Sequence, residues 1–153
     1  MSANNPEFQV INDEDKRATV KVVGYFTSAC SAAFPFAANT LFGANASMNC
    51  LSSITNILYS TSLANGRVSL EFVSTINANV KALTFGHFND GEMQKYIINN
   101  ANTPTGDYSI NVENAIANDS FTLIFSIAKE QGGIPGNAQH YGANAWANAS
   151  TWN

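Results

Sequence analysis

The strongest constraint in this sequence is a two-residue rhythm. In Phe121-Thr122-Leu123-Ile124-Phe125-Ser126-Ile127, an extended chain puts Phe121, Leu123, Phe125 and Ile127 on one side, and Ile124 interrupts the polar side. Val68-Ser69-Leu70-Glu71-Phe72 repeats the pattern, so that Glu71 reads as an exposed strand charge. Further extended stretches are Phe8 to Ile11, Thr19 to Phe26, Ser53 to Ser62, Val80 to Phe85, Gln94 to Ile98 and Tyr108 to Val112, which makes about eight strands. Between them, Ala64-Asn65-Gly66, Asn89-Asp90-Gly91 and Pro104-Thr105-Gly106-Asp107 carry turn chemistry, and hairpins are expected there. Short helices are weakly suggested at Pro35 to Cys50 or Glu113 to Asn118, against the low helix propensity of Asn and β-branched residues. The expected fold is therefore all-β: an antiparallel β-sandwich, jelly-roll-like, over residues 1–130, with an extended C-terminal arm over 131–153.

A chain of 153 residues with 45% apolar side chains can close one core without staples. Only 12% of its residues are charged, about half the usual share, while 21 are Asn, so the surface must be neutral and amide-rich. The formal charge is 7 − 11 = −4, and Lys16-Arg17 is the nearest thing to a basic cluster. That balance argues against an electrostatic grip on nucleic acid or on a membrane surface. No apolar run approaches the roughly 18 residues that cross a bilayer as a helix. Met1 to Phe8 lacks a basic segment followed by an apolar one, which leads us to expect a protein made in, and initially kept in, a cytoplasm. Three Asn-x-Ser triplets, at Asn45, Asn118 and Asn148, carry no weight in so Asn-rich a chain. In a reducing compartment Cys30 and Cys50 are expected as free, partly buried thiols; a disulfide between them would contribute about 3 kcal/mol only under oxidising conditions.

Two blocks lack the usual charges. The 45 residues from Val22 to Gly66 contain no Asp, Glu, Lys, Arg or His, and set Phe34, Phe36, Leu41 and Phe42 among Ala, Ser and Asn. Charge depletion with aromatic enrichment marks the cores of protein interfaces, although an excursion folding back to cap the sandwich would look the same. The block from Gln131 to Asn153 has only His140 as a titratable side chain, is rich in Gly and Ala-Asn repeats, and carries Trp146 and Trp152. Such a tail orders only against a partner, with its tryptophans as anchors, or else frays. Phe34, Phe36, Leu41, Phe42, Trp146 and Trp152 are thus the candidate contact residues.

Chemistry is harder to find. The two imidazoles, His87 and His140, follow no nucleophile elbow, and neither cysteine sits in a protease-like context. Gly86 and Gly91 have the outer spacing of a phosphate loop, but Glu92-Met93 stands where Lys-Ser/Thr is needed. His87-Phe88-Asn89-Asp90-Gly91-Glu92 crowds an imidazole, an amide and two carboxylates, yet is too short for a calcium loop and reads as a solvated hairpin turn. Glu71 has no nominated partner acid for glycoside hydrolysis. No catalytic residue, metal site or cofactor is expected. Tyr59, Tyr96 and Tyr108 lie at strand positions suited to core or rim, which leaves a glycan-binding module as an alternative from another class.

Several segments resemble small virion structural proteins of tailed bacteriophages. They are Val10-Ile11-Asn12-Asp13 leading to Thr19-Val20-Lys21-Val22-Val23-Gly24, then Ile57-Leu58-Tyr59-Ser60-Thr61-Ser62, Arg67 to Phe72, and Thr105-Gly106-Asp107-Tyr108 leading to Asp119-Ser120-Phe121-Thr122-Leu123. Their order and spacing over Phe8 to Lys129 carry the likeness, each piece alone being ordinary strand and turn. The resemblance implies a non-enzymatic β-sandwich subunit of the particle, such as a capsid decoration or cement protein at the capsid surface. Its implied partners are the major capsid protein and itself, as a dimer or trimer, and a tail or neck position is the alternative. The Cys30 to Cys50 excursion and the arm after Lys129 depart from that pattern.

Overall fold

The computed structural model describes residues 4–14, 17–41, 52–75, 78–86, 90–94, 97–101 and 104–129. Ten strands follow in chain order: β1 (Glu7–Asp13), β2 (Arg17–Tyr25), β3 (Cys30–Phe36), β4 (Ser52–Thr61), β5 (Arg67–Ser74), β6 (Val80–Gly86), β7 (Asp90–Met93), β8 (Ile97–Ile98), β9 (Pro104–Ala115) and β10 (Ser120–Lys129). The two-residue rhythm is obeyed throughout β10, where each odd-numbered side chain from Phe121 to Lys129 is buried and each even-numbered one is half-buried. One sheet runs β1-β2-β10-β4-β7, with β8 also on β4, and the other runs β3-β9-β5-β6. Every pairing is antiparallel.

The connectivity has a simple origin. β5 and β6 form the tip of one long hairpin, and β4 with β7, β3 with β9 and β2 with β10 are its successive rungs. Rolling that ribbon lays β10 beside β4 and β9 beside β5, closing two sheets face to face. Numbering those eight strands 1 to 8, with β1 and β8 left out, the sheets read 1-8-3-6 and 2-7-4-5. This is the jelly roll, and the expected all-β sandwich is the observed fold.

Val20, Val22, Leu123, Phe125, Ile54 and Ile57 from the first sheet meet Val68, Leu70, Phe72, Tyr108, Ile110 and Val112 from the second, all at 1% exposure or less. Tyr108 bridges the layers, with its ring 5.7 Å from Phe72 and 5.3 Å from Phe125. At one end Phe121 packs on Phe26 and Phe85, and Phe85 on Tyr59. A Cβ on Gly24 would lie 2.2 Å from Phe121, so only glycine lets that ring reach the core. The other end is closed by Lys129, whose buried ammonium donates to Asp13 Oδ1 at 2.6 Å and to the Glu14 carbonyl at 2.5 Å.

Several local expectations are corrected. The expected excursion from Cys30 opens with a strand, β3, whose Cys-Ser-Ala-Ala-Phe-Pro-Phe run lies at a sheet edge, where Pro35 costs no internal ladder bond. Ala64-Asn65-Gly66 joins β4 to β5 across the two sheets and closes no hairpin. Asp90 and Gly91 belong to strand β7, and a Cβ at Gly91 would crowd the Tyr59 hydroxyl at 2.7 Å. Pro104 to Asp107 begins β9, with Gly106 at φ 88° beside a register shift against β5. Glu113 to Ala115 extends β9, and no helix forms there. The following turn is held by Asp119, whose Oδ2 accepts the Ile116 N–H at 2.8 Å. Of the Pro35 to Cys50 stretch, Ala38–Thr40 is a single 3-10 turn and residues 42–50 lie outside the described residues, as does the arm over 131–153.

Candidate functional site

The outward face of the four-stranded sheet looks like a place for acid–base chemistry and is instead a closed polar network. Glu71, read as exposed, is 6% exposed. The Asn79 side chain donates to its Oε1 at 3.2 Å and the Asn111 side chain to its Oε2 at 3.4 Å. Lys81 stands opposite it in the register of β6. Arg67 donates from Nε to Glu113 Oε2 at 2.7 Å, with Lys81 3.6 Å from the other oxygen. The hydrogen bond from the Arg67 guanidinium holds the Glu113 carboxyl below its ordinary range, against the opposing effect of desolvation. Ser69 is fully buried and shares a 2.9 Å hydrogen bond with Thr84. These groups hold one another in place. Glu71 and Glu113 are engaged by amides and cations, and Ser69 by a hydroxyl, so the cluster contains no nucleophile beside a base.

The outward face of the six-stranded sheet differs. The pairing registers align Lys21 on β2, Ile124 on β10, Leu58 on β4 and Glu92 on β7 in one row across four adjacent strands. A neighbouring row contains Val23, Thr122, Ser60 and Asp90. Leu58 is 47% exposed, while Ile124 and Val23 are half-buried on a face that alternation reserves for polar groups. Beside Leu58 lies an open depression of about 330 Å³ bordered by Asp90, Gly91, Glu92 and Thr122. On the other side Glu7, Gln9, Lys21 and Val23 border a smaller one of about 100 Å³. Such a face suits contact: an apolar centre, small hydroxyls, Asp90 and Glu92 at one margin, and Lys21 with Glu7 at the other.

The sequence-derived contact residues fall unevenly on this frame. Phe36 and Leu41 are 7% and 3% exposed and pack within the chain's own core, Phe36 stacking on Phe8 at 5.6 Å. Both side chains are thus covered in the single chain, whereas their neighbours Ser31, Ala32, Ala33, Pro35, Ala37 and Thr40 are exposed and uncharged. Phe34 is half-buried on edge strand β3. Phe42, Trp146 and Trp152 lie outside the described residues, together with His87 and Cys50. Cys30 carries a free thiol, which burial pushes above its ordinary pKa. Among the described residues no three His, Cys, Asp or Glu side chains gather as a metal site, and no helix is long and apolar enough to cross a membrane. Leu58 and Ile124 are the residues that sequence reasoning did not single out as contacts. The signal for Ile124 was present, as the apolar interruption of β10's polar side.

No family model and no curated protein matches the chain. Among solved structures it is similar to the tobacco streak virus coat protein, with 7% identity, 88% of this chain and 94% of that chain covered, and a TM-score of 0.33. A family two carbohydrate esterase from Cellvibrio japonicus gives 9% identity and a TM-score of 0.28, with 88% of this chain aligned to 34% of that chain. A chain of infectious bursal disease virus, Gt strain, gives 13% identity and a TM-score of 0.26, with 88% of this chain aligned to 38% of that one. The chain therefore spans about a third of the length of the last two. Overlaps as loose as these align strands without defining a site, and the functional reading rests on the chain's own residues.

Proposed function

We propose that this protein is a non-enzymatic structural component of a virion, specifically a capsid decoration or cement protein of a tailed bacteriophage that bridges major capsid protein subunits. The observation that carries the reading is the partly apolar outer face of the six-stranded sheet, with Leu58 and Ile124 at its centre. Jelly rolls recur in viral capsid and lectin domains, which fits a surface that works by contact. The segments that resemble phage virion proteins map onto β1, β2, β4, β5, β9 and β10. Adhesion would bury neutral and amide surface across subunit seams, with Phe34 on the β3 edge, Phe42 and the Trp146 and Trp152 arm as further contacts. Many copies on a lattice would reinforce individually modest contacts through effective concentration. With little of the attachment resting on Coulomb attraction, it would tolerate salt.

The test is reconstitution on particles lacking the protein. Saturable binding at a fixed number of copies per lattice unit, seen by imaging of labelled protein on the head, is the expected result. Labelling confined to the neck or tail would move the protein to another part of the same particle. Affinity for a polysaccharide array without particle binding, or turnover of a substrate, would overturn the reading. Deleting Gln131 to Asn153 should leave the sandwich folded and weaken attachment.

A further inference from the structure

The row Lys21–Ile124–Leu58–Glu92 has a property that no single strand reveals: it is complementary to itself. Consider a two-fold axis parallel to the strands, lying midway between β10 and β4 and just above the sheet. Rotation about it carries β2 of one copy over β7 of the other, and β10 over β4, without shifting any residue along the strand direction. Lys21 of each copy then faces Glu92 of the other, and Ile124 faces Leu58. In the next row Thr122 faces Ser60. The cation lands beside the depression bordered by Asp90 and Glu92, so two carboxylates receive one ammonium.

We infer that the outer face of the six-stranded sheet is a self-association surface, seating a second copy of this chain in an isologous, face-to-face dimer. Four arguments support that occupant. Charge complementarity is satisfied twice by symmetry, since each copy contributes one Lys21 and one Glu92. The apolar pair sits at the axis, where it would be most fully covered, and the charges sit towards the rim. Aligned sheets pack face to face about 10 Å apart with strand directions within about 30° of each other, a class that includes the alignment set by this axis. The five strands span about 19 Å and the longer ones about 30 Å, at most about 570 Å² in projection, which is the size of a weak, small interface rather than a standard one. The rotation about the other in-plane axis would stack β10 on β10 and bring no acid opposite Lys21.

This inference refines the assembly reading, and rests on it only for the dimer's use on a particle; the dimer itself is measured on the purified full chain. Sedimentation equilibrium up to about 1 mM should show a concentration-dependent dimer, since an association of even −4 kcal/mol is visible there. Lys21→Glu and Glu92→Lys should each weaken it about tenfold or more, by placing like charges opposite one another at two symmetric positions. The double variant restores both pairs and should return to near the starting affinity. Ile124→Thr, which keeps a β-branched side chain, should weaken the dimer while leaving the thermal melt of the monomer intact. A chain that remains monomeric throughout, or a dimer indifferent to both charge reversals, overturns the inference. A double variant no better than the singles overturns the assigned pairing. A monomer that still decorates particles refutes this face alone, whereas a dimer without particle affinity refutes the attachment reading alone.

Discussion

Replacing Asp13 should destabilise the protein more than replacing the lysine it neutralises. Lys129 is fully buried and Asp13 is 26% exposed, with 2.6 Å between Nζ and Oδ1. Removing one partner of a buried ion pair leaves the other charge less well compensated, a loss of up to about 3–5 kcal/mol when both are fully enclosed. Here water can reach the site once the carboxylate is gone, because Asp13 lies at the rim, so the cost of Asp13→Ala falls to about 2 kcal/mol. Lys129→Met removes the buried charge itself while keeping an unbranched apolar stem in the same space. Substitutions of that kind are often close to neutral, so a change within about 1 kcal/mol is expected. For a chain of 153 residues, 2 kcal/mol corresponds to a fall in Tm of roughly 6 °C. Urea titrations of the parent, both single variants and the double variant supply the ordering. In the double variant the loss seen in Asp13→Ala should largely disappear, since no buried ammonium remains to be neutralised. If Lys129→Met proves as damaging as Asp13→Ala, or the double variant simply adds the two, the buried charge is not the source of the loss.

Gly24→Ala pushes a methyl group into the Phe121 ring at a buried site and should destabilise by about 1–3 kcal/mol in the same titration; an unchanged midpoint would mean the ring has room to move. The Glu113 carboxyl, whose pKa Arg67 lowers, contributes stability that is present above its unfolded pKa and is lost as pH falls through the depressed folded value. NMR titration should therefore show its midpoint rising in Arg67→Ala, and an unmoved midpoint would remove Arg67 as the cause. Burial raises the Cys30 pKa, so at pH 8 a thiol reagent should modify it more slowly than free cysteine, a rate read directly by following Cys30 in a Cys50→Ser background.

Much of the secondary structure was legible because burial on one face leaves a local trace. β2, β5 and β10 carry period-two patterns, and their limits in the structure extend the expected stretches by a few residues at most. β3 left no such trace. Its Ala and Ser residues are exposed at a sheet edge, and Cys30, Phe34 and Phe36 lean inward without a regular alternation of polar and apolar types, so it reads as loop. Pro104 to Asp107 has the composition of a turn because a bulged strand needs the same positive-φ glycine. Glu71 was misjudged for a nonlocal reason: alternation correctly assigns it to the outer side, but Asn79 and Asn111, brought there by pairing, cover it, with Lys81 opposite in the register. The row across the six-stranded sheet was illegible for the same reason. Lys21, Leu58, Glu92 and Ile124 are far apart in the chain, and only the order of strands in the sheet makes them neighbours.

That strand order also bears on how the molecule is made. β10, the last strand of the roll to leave a ribosome, occupies the middle of its sheet, between β2 and β4. Until it is synthesised, two interior ladders stand open with their amides and carbonyls unpaired, and a nascent chain holding both is prone to pairing with its neighbours. Closure waits for a contact between strands near opposite ends of the described chain, which makes for slow folding. Any premature stop upstream of Ser120 would leave this half-built sheet exposed, a fragment more apt to aggregate than to persist as a smaller domain.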